Sequence, residues 1–326
     1  MQKMSTKEKP QYLSGPTMGT TWQVVIEGRP SLEAPALTGA IQKALCVVEG
    51  QMSNWCAASD LMRFNVAPIN RWIDLPATLI HVLKAGIEIS RQTGGAFEMN
   101  VGAAVRAWGF CGDAIDFDAV RAASANGCLR ASDTLFLDEK AGRALKSALI
   151  ALDLGGIAKG YGVDMMGQVL SEFGITSGLV SLDGEMAARG IKSDGTSWAV
   201  ALEQPDSPNR RAHSHVALQD VAIATSGDYR HFLNVKGHRL SHTIDPKRSS
   251  PLTGAPASVS VIAQNCLNAD ALATALMVMG PKIGCDFARQ NAISALFLMR
   301  EVSHFSTFGT GLFDETPPIT GFIKGY

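Results

Sequence analysis

The segment Ala151-Leu-Asp-Leu-Gly-Gly-Ile-Ala-Lys-Gly-Tyr-Gly-Val-Asp164 decides how the rest of the chain is read. The apolar run from Leu149 to Leu154 predicts a buried strand, part of a stretch over 148–154. Two glycines follow, then Lys159 and a helical pattern that stops at Gly174. A Gly-rich turn feeding a helix N-terminus presents backbone N–H groups and the positive end of the helix dipole, the elements of an anion site. Gly155 and Gly156 let a ligand come close to the backbone, and Lys159 adds a point charge. The same residues also read as a tight strand-to-helix turn with a solvated lysine. The spacing is that of neither a P-loop nor a dinucleotide-binding glycine fingerprint. Asp153, just before the glycines, repels phosphate unless it binds a base, a ribose or a metal.

The chain has 326 residues, enough for one large domain or two intimate ones. With 46% apolar and 18% charged residues it has the composition of a globular protein. A net charge of -1 gives no electrostatic case for nucleic acid. The six cysteines form no CxxC pair, so zinc and thioredoxin-like chemistry are unsupported, and buried free thiols are expected. No stretch is expected to cross a membrane. Residues 1–11 are polar and read as a disordered N-terminal segment ahead of one domain over 12–326; no hydrophobic signal core is visible in them.

Periodicity predicts strands over 20–27, 134–137, 178–182, 186–190, 198–202, 216–225, 259–263 and 295–299. It predicts helices over 34–51, 59–65, 76–93, 118–125, 159–173 and 269–279, the last stopped by Gly280-Pro281. Strands and helices are mixed rather than strictly alternating, which favours an α+β fold.

Several constellations carry oxygen or nitrogen chemistry. Asp270 and Thr274 are four apart and share one helix face, with Asn268 read as the cap. Both offer oxygen to a hard cation such as Mg²⁺; they also read as an N-terminal acid and a threonine bonded to its own helix. Ser241-His-Thr-Ile-Asp-Pro246 sets His242, a base near neutral pH, close to Asp245. Ala224-Thr-Ser-Gly-Asp-Tyr-Arg230 and Thr93-Gly-Gly-Ala-Phe-Glu-Met-Asn100 each join a turn to groups able to meet a ligand, Phe97 by packing on a ring.

Taken in order, these segments resemble the ApbE family of flavin transferases, which use FAD to attach FMN to a protein. The resemblance runs through Gly15-Pro-Thr-Met-Gly-Thr-Thr-Trp22, Met52-Ser-Asn-Trp55 with 59–65, Thr93-Gly-Gly-Ala-Phe97, the segment from Asp153 to Gly160, Ala224 to Tyr229, Ser241 to Pro246 and Ala269 to Thr274. It implies an α+β fold of two intertwined T-fold-like halves with FAD in a central cleft. It implies Met18, Trp55, Ala96, Phe97, Glu98, Asp153, Lys159 and Ile244 as FAD-binding positions. Gly156 (through its carbonyl), Asp270 and Thr274 are implied as Mg²⁺ ligands. The implied reaction moves FMN from FAD, the substrate, to a Thr or Ser hydroxyl of a client flavoprotein and releases AMP. His242 supported by Asp245 is the expected base. FAD hydrolysis and non-catalytic flavin binding are the alternatives. The resemblance implies a periplasmic protein, whereas the missing signal is that of a cytoplasmic one.

Three features depart from the family pattern. Leu182-Asp-Gly-Glu-Met186 has Asp183 where the family usually has glycine. Lys247-Arg-Ser-Ser250 follows Asp-Pro where a Thr-Gly pair is usual. No lipobox cysteine is present.

Overall fold

The architecture follows from eight strands that pair in the order in which they occur in the chain. They are β1 (Gln11–Thr17), β2 (Thr20–Ile26), β3 (Gly178–Leu182), β4 (Glu185–Arg189), β5 (Ala222–Gly227), β6 (Ser258–Ala263), β7 (Ser294–Arg300) and β8 (Phe305–Thr310), and every neighbouring pair is antiparallel. This computed structural model describes residues 9–314 except 28–33, 113, 127–128, 208, 210, 231 and 236. Of the polar N-terminal segment, residues 1–8 lie outside the described residues, and Gln11 already begins β1.

The order makes two ββαββ halves. In the first, the β1–β2 hairpin leads through a helical insertion to β3–β4. In the second, β5–β6 leads through one long helix to β7–β8. Three helices carry the packing: α1 (Ala34–Met52), α2 (Ala158–Glu172) and α3 (Cys266–Gln290). Period-2 alternation sends Val24, Val180 and Ala222 to one sheet face, where Ile41, Leu45, Met166 and Leu170 of α1 and α2 cover them. Val259, Val261 and Phe297 point the same way and meet Ala273, Leu276 and Met277 of α3. The opposite face carries Ile223, Leu296 and Leu298 and is closed by the hairpin of Trp198–Glu203 and Ala212–Leu218. The fold is thus α+β with two T-fold-like halves.

The halves meet at β4 and β5, which pair only through Ala187–Ala222 and Met186–Ile223. Beyond Ile223 the ladder stops, and the strand ends separate around a cleft. Behind it α2 crosses α3 so closely that a Cβ on Gly160 would run into the Cys266 carbonyl and lie 2.7 Å from the Asp270 side chain. Gly160 is therefore required by the crossing itself.

Four expectations are corrected. The stretch 148–154 is not a strand, although Ile150, Leu152 and Leu154 are buried. Its backbone is paired largely by side chains: Asn65 donates to Leu152 O and accepts from Leu152 N, each at 2.8 Å, Asn100 Oδ1 accepts from Ala151 N at 2.8 Å, and loop backbone supplies the rest, from Gly102 N to Ala151 O and from Asp153 N to Met99 O. The strand expected over 216–225 is two, Ala212–Leu218 and β5, separated by a turn with Asp220 at φ 52°. The cap of α3 is Asn265, whose Oδ1 accepts from Asn268 N at 2.8 Å, so Asn268 lies inside the helix. Asp164 of α2 completes that cap by accepting from Cys266 N and Leu267 N at 2.8 and 2.9 Å.

Finally, α3 contains an 18-residue stretch of mean hydropathy 1.2 and is long and apolar enough by length and composition to cross a membrane, contrary to the expectation that no stretch was. It is a core helix here, broken at Gly280 (φ 70°, ψ 174°) as the Gly-Pro pair predicted, with a second helical piece running to Gln290.

Candidate active site

The cleft between the halves has a volume of about 1180 Å³. Met18, Trp55, Ala96, Phe97, Glu98, Asp153, Gly156, Lys159, His242, Ile244, Asp270 and Thr274 all line it. Residues more than 250 positions apart in sequence therefore converge on one surface.

Each arrives for a local reason. Met18 (φ 46°) and Gly19 (φ 71°) are the two turn residues between the paired Thr17 and Thr20, the type I′ geometry of a tight hairpin. Trp55 follows the end of α1, is 71% exposed, and lies 3.4 Å from where a Cβ on Gly112 would be. Beside it, Asn54 Oδ1 is buried without a hydrogen-bond partner among the described residues. That acceptor calls for an N–H from a ligand.

Ala96, Phe97 and Glu98 lie on a loop that Thr93 ties down by accepting from Phe97 N at 3.1 Å. Phe97 is buried in the core of the helical insertion, so its ring is not the exposed platform expected. Glu98 is buried too, and accepts from Asn100 N, Ala131 N and Ser90 Oγ at 2.8, 3.0 and 3.1 Å. Burial pushes its carboxyl up, and those bonds oppose the shift. Its side chain is a structural tie.

Asp153 accepts from Gly155 N at 2.7 Å. Burial raises its carboxyl, opposed by the Gly155 amide, Asn54 and Arg106. This local bond explains a carboxylate ahead of a glycine turn: it shapes the turn and meets the cleft.

The oxygen-rich end lies where α2 meets α3. Asp270 is 4% exposed and accepts from Gly160 N at 2.9 Å. One helical turn on, Thr274 Oγ1 lies 3.2 Å from Ser226 Oγ and 2.8 Å from where a Cβ on Gly156 would sit. Burial pushes Asp270 up to about 7; Glu185 adds to the rise, and Lys159 and the Gly160 amide oppose it.

Lys159 lies 3.0 Å from Glu185 and 3.2 Å from Asp183. Burial alone lowers an ammonium, but Glu185, Asp270 and Asp183 outweigh it and hold Lys159 above its ordinary value. Asp183 also reaches Arg230 at 3.4 Å, and Arg230 pairs with Glu203. Arg230, in the 224–230 segment read from sequence as able to meet a ligand, lines the cleft with Glu185 and Glu203, which were not expected there. The β3–β4 turn brings Glu185, the 198–218 hairpin brings Glu203, and the segment after β5 brings Arg230.

His242 also lines the cleft and is exposed, on a segment held by Ser241 N to Leu252 O and Leu252 N to Thr243 O at 3.2 and 3.0 Å. Ile244 beside it is buried. Asp245 does not line the cleft: Oδ1 accepts from Lys247 N at 2.9 Å and Oδ2 is 3.9 Å from Arg248. These contacts shape the turn that follows His242. Ser249 of that turn, at φ 50°, accepts from Trp108 Nε1 at 3.2 Å, tying the His242 loop to the other half.

The donor set suits Mg²⁺: a carboxylate, a hydroxyl and a backbone carbonyl, all hard oxygens. Among the described residues no group of three His, Cys, Asp or Glu side chains could hold a metal by itself. A cation here needs oxygens from a ligand, the usual situation for Mg²⁺ on a diphosphate.

Known proteins share the sequence and the fold. The model of the ApbE family matches residues 18–297. The FAD:protein FMN transferase of Vibrio cholerae serotype O1 is 34% identical over 305 residues, covering 93% of this chain and 91% of its own. That of Klebsiella pneumoniae is 32% identical over 304 residues, covering 91% and 86%. Among solved structures, the apo flavinyl transferase ApbE of Pseudomonas stutzeri superposes with a TM-score of 0.82 at 33% identity, over 94% of this chain and 96% of the other. The ApbE protein of Thermotoga maritima gives 0.83 at 25%, over 94% and 100%. With a family match over most of its length and relatives above 30% identity over nine-tenths of it, the chain belongs to the ApbE family.

Proposed function

We propose that this protein transfers FMN from FAD to a Ser or Thr hydroxyl of a client flavoprotein, with Mg²⁺, and releases AMP. The observation that carries the reading is the cleft, whose single volume is lined by Gly156, Asp270, Thr274, Lys159 and the exposed His242. The names of the relatives support flavin transfer.

FAD enters with its flavin toward Met18 and Trp55, and a ring N–H satisfies Asn54 Oδ1. Gly156, Asp270 and Thr274 hold Mg²⁺, which when bound neutralises diphosphate charge and orients the group. Lys159 adds a fixed positive charge for oxygens that gain charge as the bond breaks. His242 removes the proton of the acceptor hydroxyl. A P–O bond forms between the acceptor oxygen and the FMN phosphorus, the P–O bond to the bridging oxygen breaks, and that oxygen leaves on AMP. Asp245 keeps the His242 loop in shape through Lys247.

Product analysis tests this. FAD, Mg²⁺ and a Thr- or Ser-bearing acceptor should give AMP in step with covalently bound FMN. AMP with equimolar free FMN, unaffected by acceptor, would make the protein a hydrolase.

A further inference from the structure

Asp183 stands in the β3–β4 turn at φ 61°, a left-handed conformation that suits glycine, the residue the family pattern has there. Its carboxylate bridges two cations: Oδ2 lies 3.2 Å from Lys159 Nζ and Oδ1 3.4 Å from Arg230 Nη1, with Thr20 Oγ1 donating at 3.5 Å. Neither cation needs it. Lys159 has Glu185 at 3.0 Å, and Arg230 has Glu203.

Around Lys159 and Arg230 stand four of the carboxylates that line the cleft, Asp183, Glu185, Glu203 and Asp270, against two cations. That surplus opposes an anionic ligand until a cation joins it. The bridging carboxylate also fills the place between Lys159 and Arg230 where a ligand oxygen would be held by both. Backbone conformation favours glycine, local neutrality does not call for the charge, and the charge sits where a ligand anion belongs.

We propose that Asp183 is a specificity-determining residue, a built-in anion that occupies the Lys159–Arg230 clamp and makes diphosphate binding depend on a divalent cation. The inference rests on the reading of the cleft as a site for FAD.

Calorimetric titration of the full chain tests it, with ADP as the diphosphate probe and adenosine as the uncharged one. Wild type, Asp183→Gly and Asp183→Asn are compared in EDTA and in Mg²⁺. In EDTA both variants should bind ADP more tightly by on the order of tenfold, the effect of removing one nearby like charge. Adenosine affinity should not change, and the gain from Mg²⁺ should shrink by the same factor. Unchanged ADP affinity in both variants would overturn the proposal. So would an equal gain for adenosine, or a gain in Asp183→Gly alone, which would trace to backbone relief rather than charge. FAD titrated into wild type with Mg²⁺ separates the two readings: binding there with no variant effect removes only the role of Asp183, whereas no binding removes the FAD site as well.

Discussion

The carboxamide of Asn65 pairs with both backbone groups of Leu152, donating to O and accepting at N, each at 2.8 Å. One side chain takes the place of a neighbouring strand and fixes the segment that carries Asp153 into the cleft. Asn65→Ala leaves both Leu152 groups without that partner. It should cost roughly 1–3 kcal/mol in denaturant unfolding, and FAD affinity should fall, since Asp153 follows directly. Unchanged stability and affinity would show that the segment holds its course unaided.

The Asp270 carboxyl is pushed up to about 7 by burial first and by Glu185 next. It must lose its proton to ligate Mg²⁺, so metal affinity should rise with pH up to about 7 and then level off. A carboxyl raised on folding stabilises the folded state only while protonated. The metal-free wild type should therefore lose stability relative to Asp270→Asn as pH climbs from the unfolded value near 3.8 toward about 7. Magnesium titrations and melting curves across that range check both. A pH-independent metal affinity would place the cation on other groups.

His242 is an exposed residue at the cleft wall. His242→Ala should lower transfer by roughly 10²–10⁴ while FAD affinity and melting temperature stay near wild type. Equal losses in rate and FAD affinity would make it a ligand-positioning residue. Asp228 is no substitute base, because it is buried and held by Arg300 at 2.9 and 2.5 Å.

Trp55 is 71% exposed and contributes little to the fold, so Trp55→Ala should leave stability within about 0.5 kcal/mol. Its loss should weaken FAD binding by roughly 0.5–1.5 kcal/mol of ring stacking. Titration of FAD into the variant reads this directly; an unweakened affinity would put the flavin elsewhere in the cleft.

Much of this was legible in the sequence because the signals are local. Apolar alternation marked β3 and β6, helical spacing marked α1, and Gly280-Pro281 marked the break in α3. Met18, Lys159, Asp270 and Thr274 stood out through short motifs in order. What was not legible depends on remote partners. The 148–154 run carries strand composition, but its hydrogen bonds go to the side chains of Asn65 and Asn100 and to the backbone of Met99 and Gly102, not to a neighbouring strand. The turn at Asp220 has neither glycine nor proline at its left-handed residue, so 216–225 read as one strand. The pairings of Glu185 with Lys159 and of Glu203 with Arg230 join residues 26 and 27 positions apart, which no local pattern shows. The bond from Lys247 N to Asp245 Oδ1, which shapes the turn after His242, is likewise a contact that spacing does not show.

Whether the cleft moves FMN onto a hydroxyl is read from the intact mass of a client flavoprotein. The client is incubated with FAD, Mg²⁺ and either the wild-type protein or Asp270→Ala. With wild type, the client should gain the mass of one FMN less water, a gain lost when the acceptor Thr or Ser is replaced by Ala. With Asp270→Ala the client should stay unmodified. An unmodified client in the presence of wild-type protein that binds FAD, or full modification by Asp270→Ala, would contradict FMN transfer at this site.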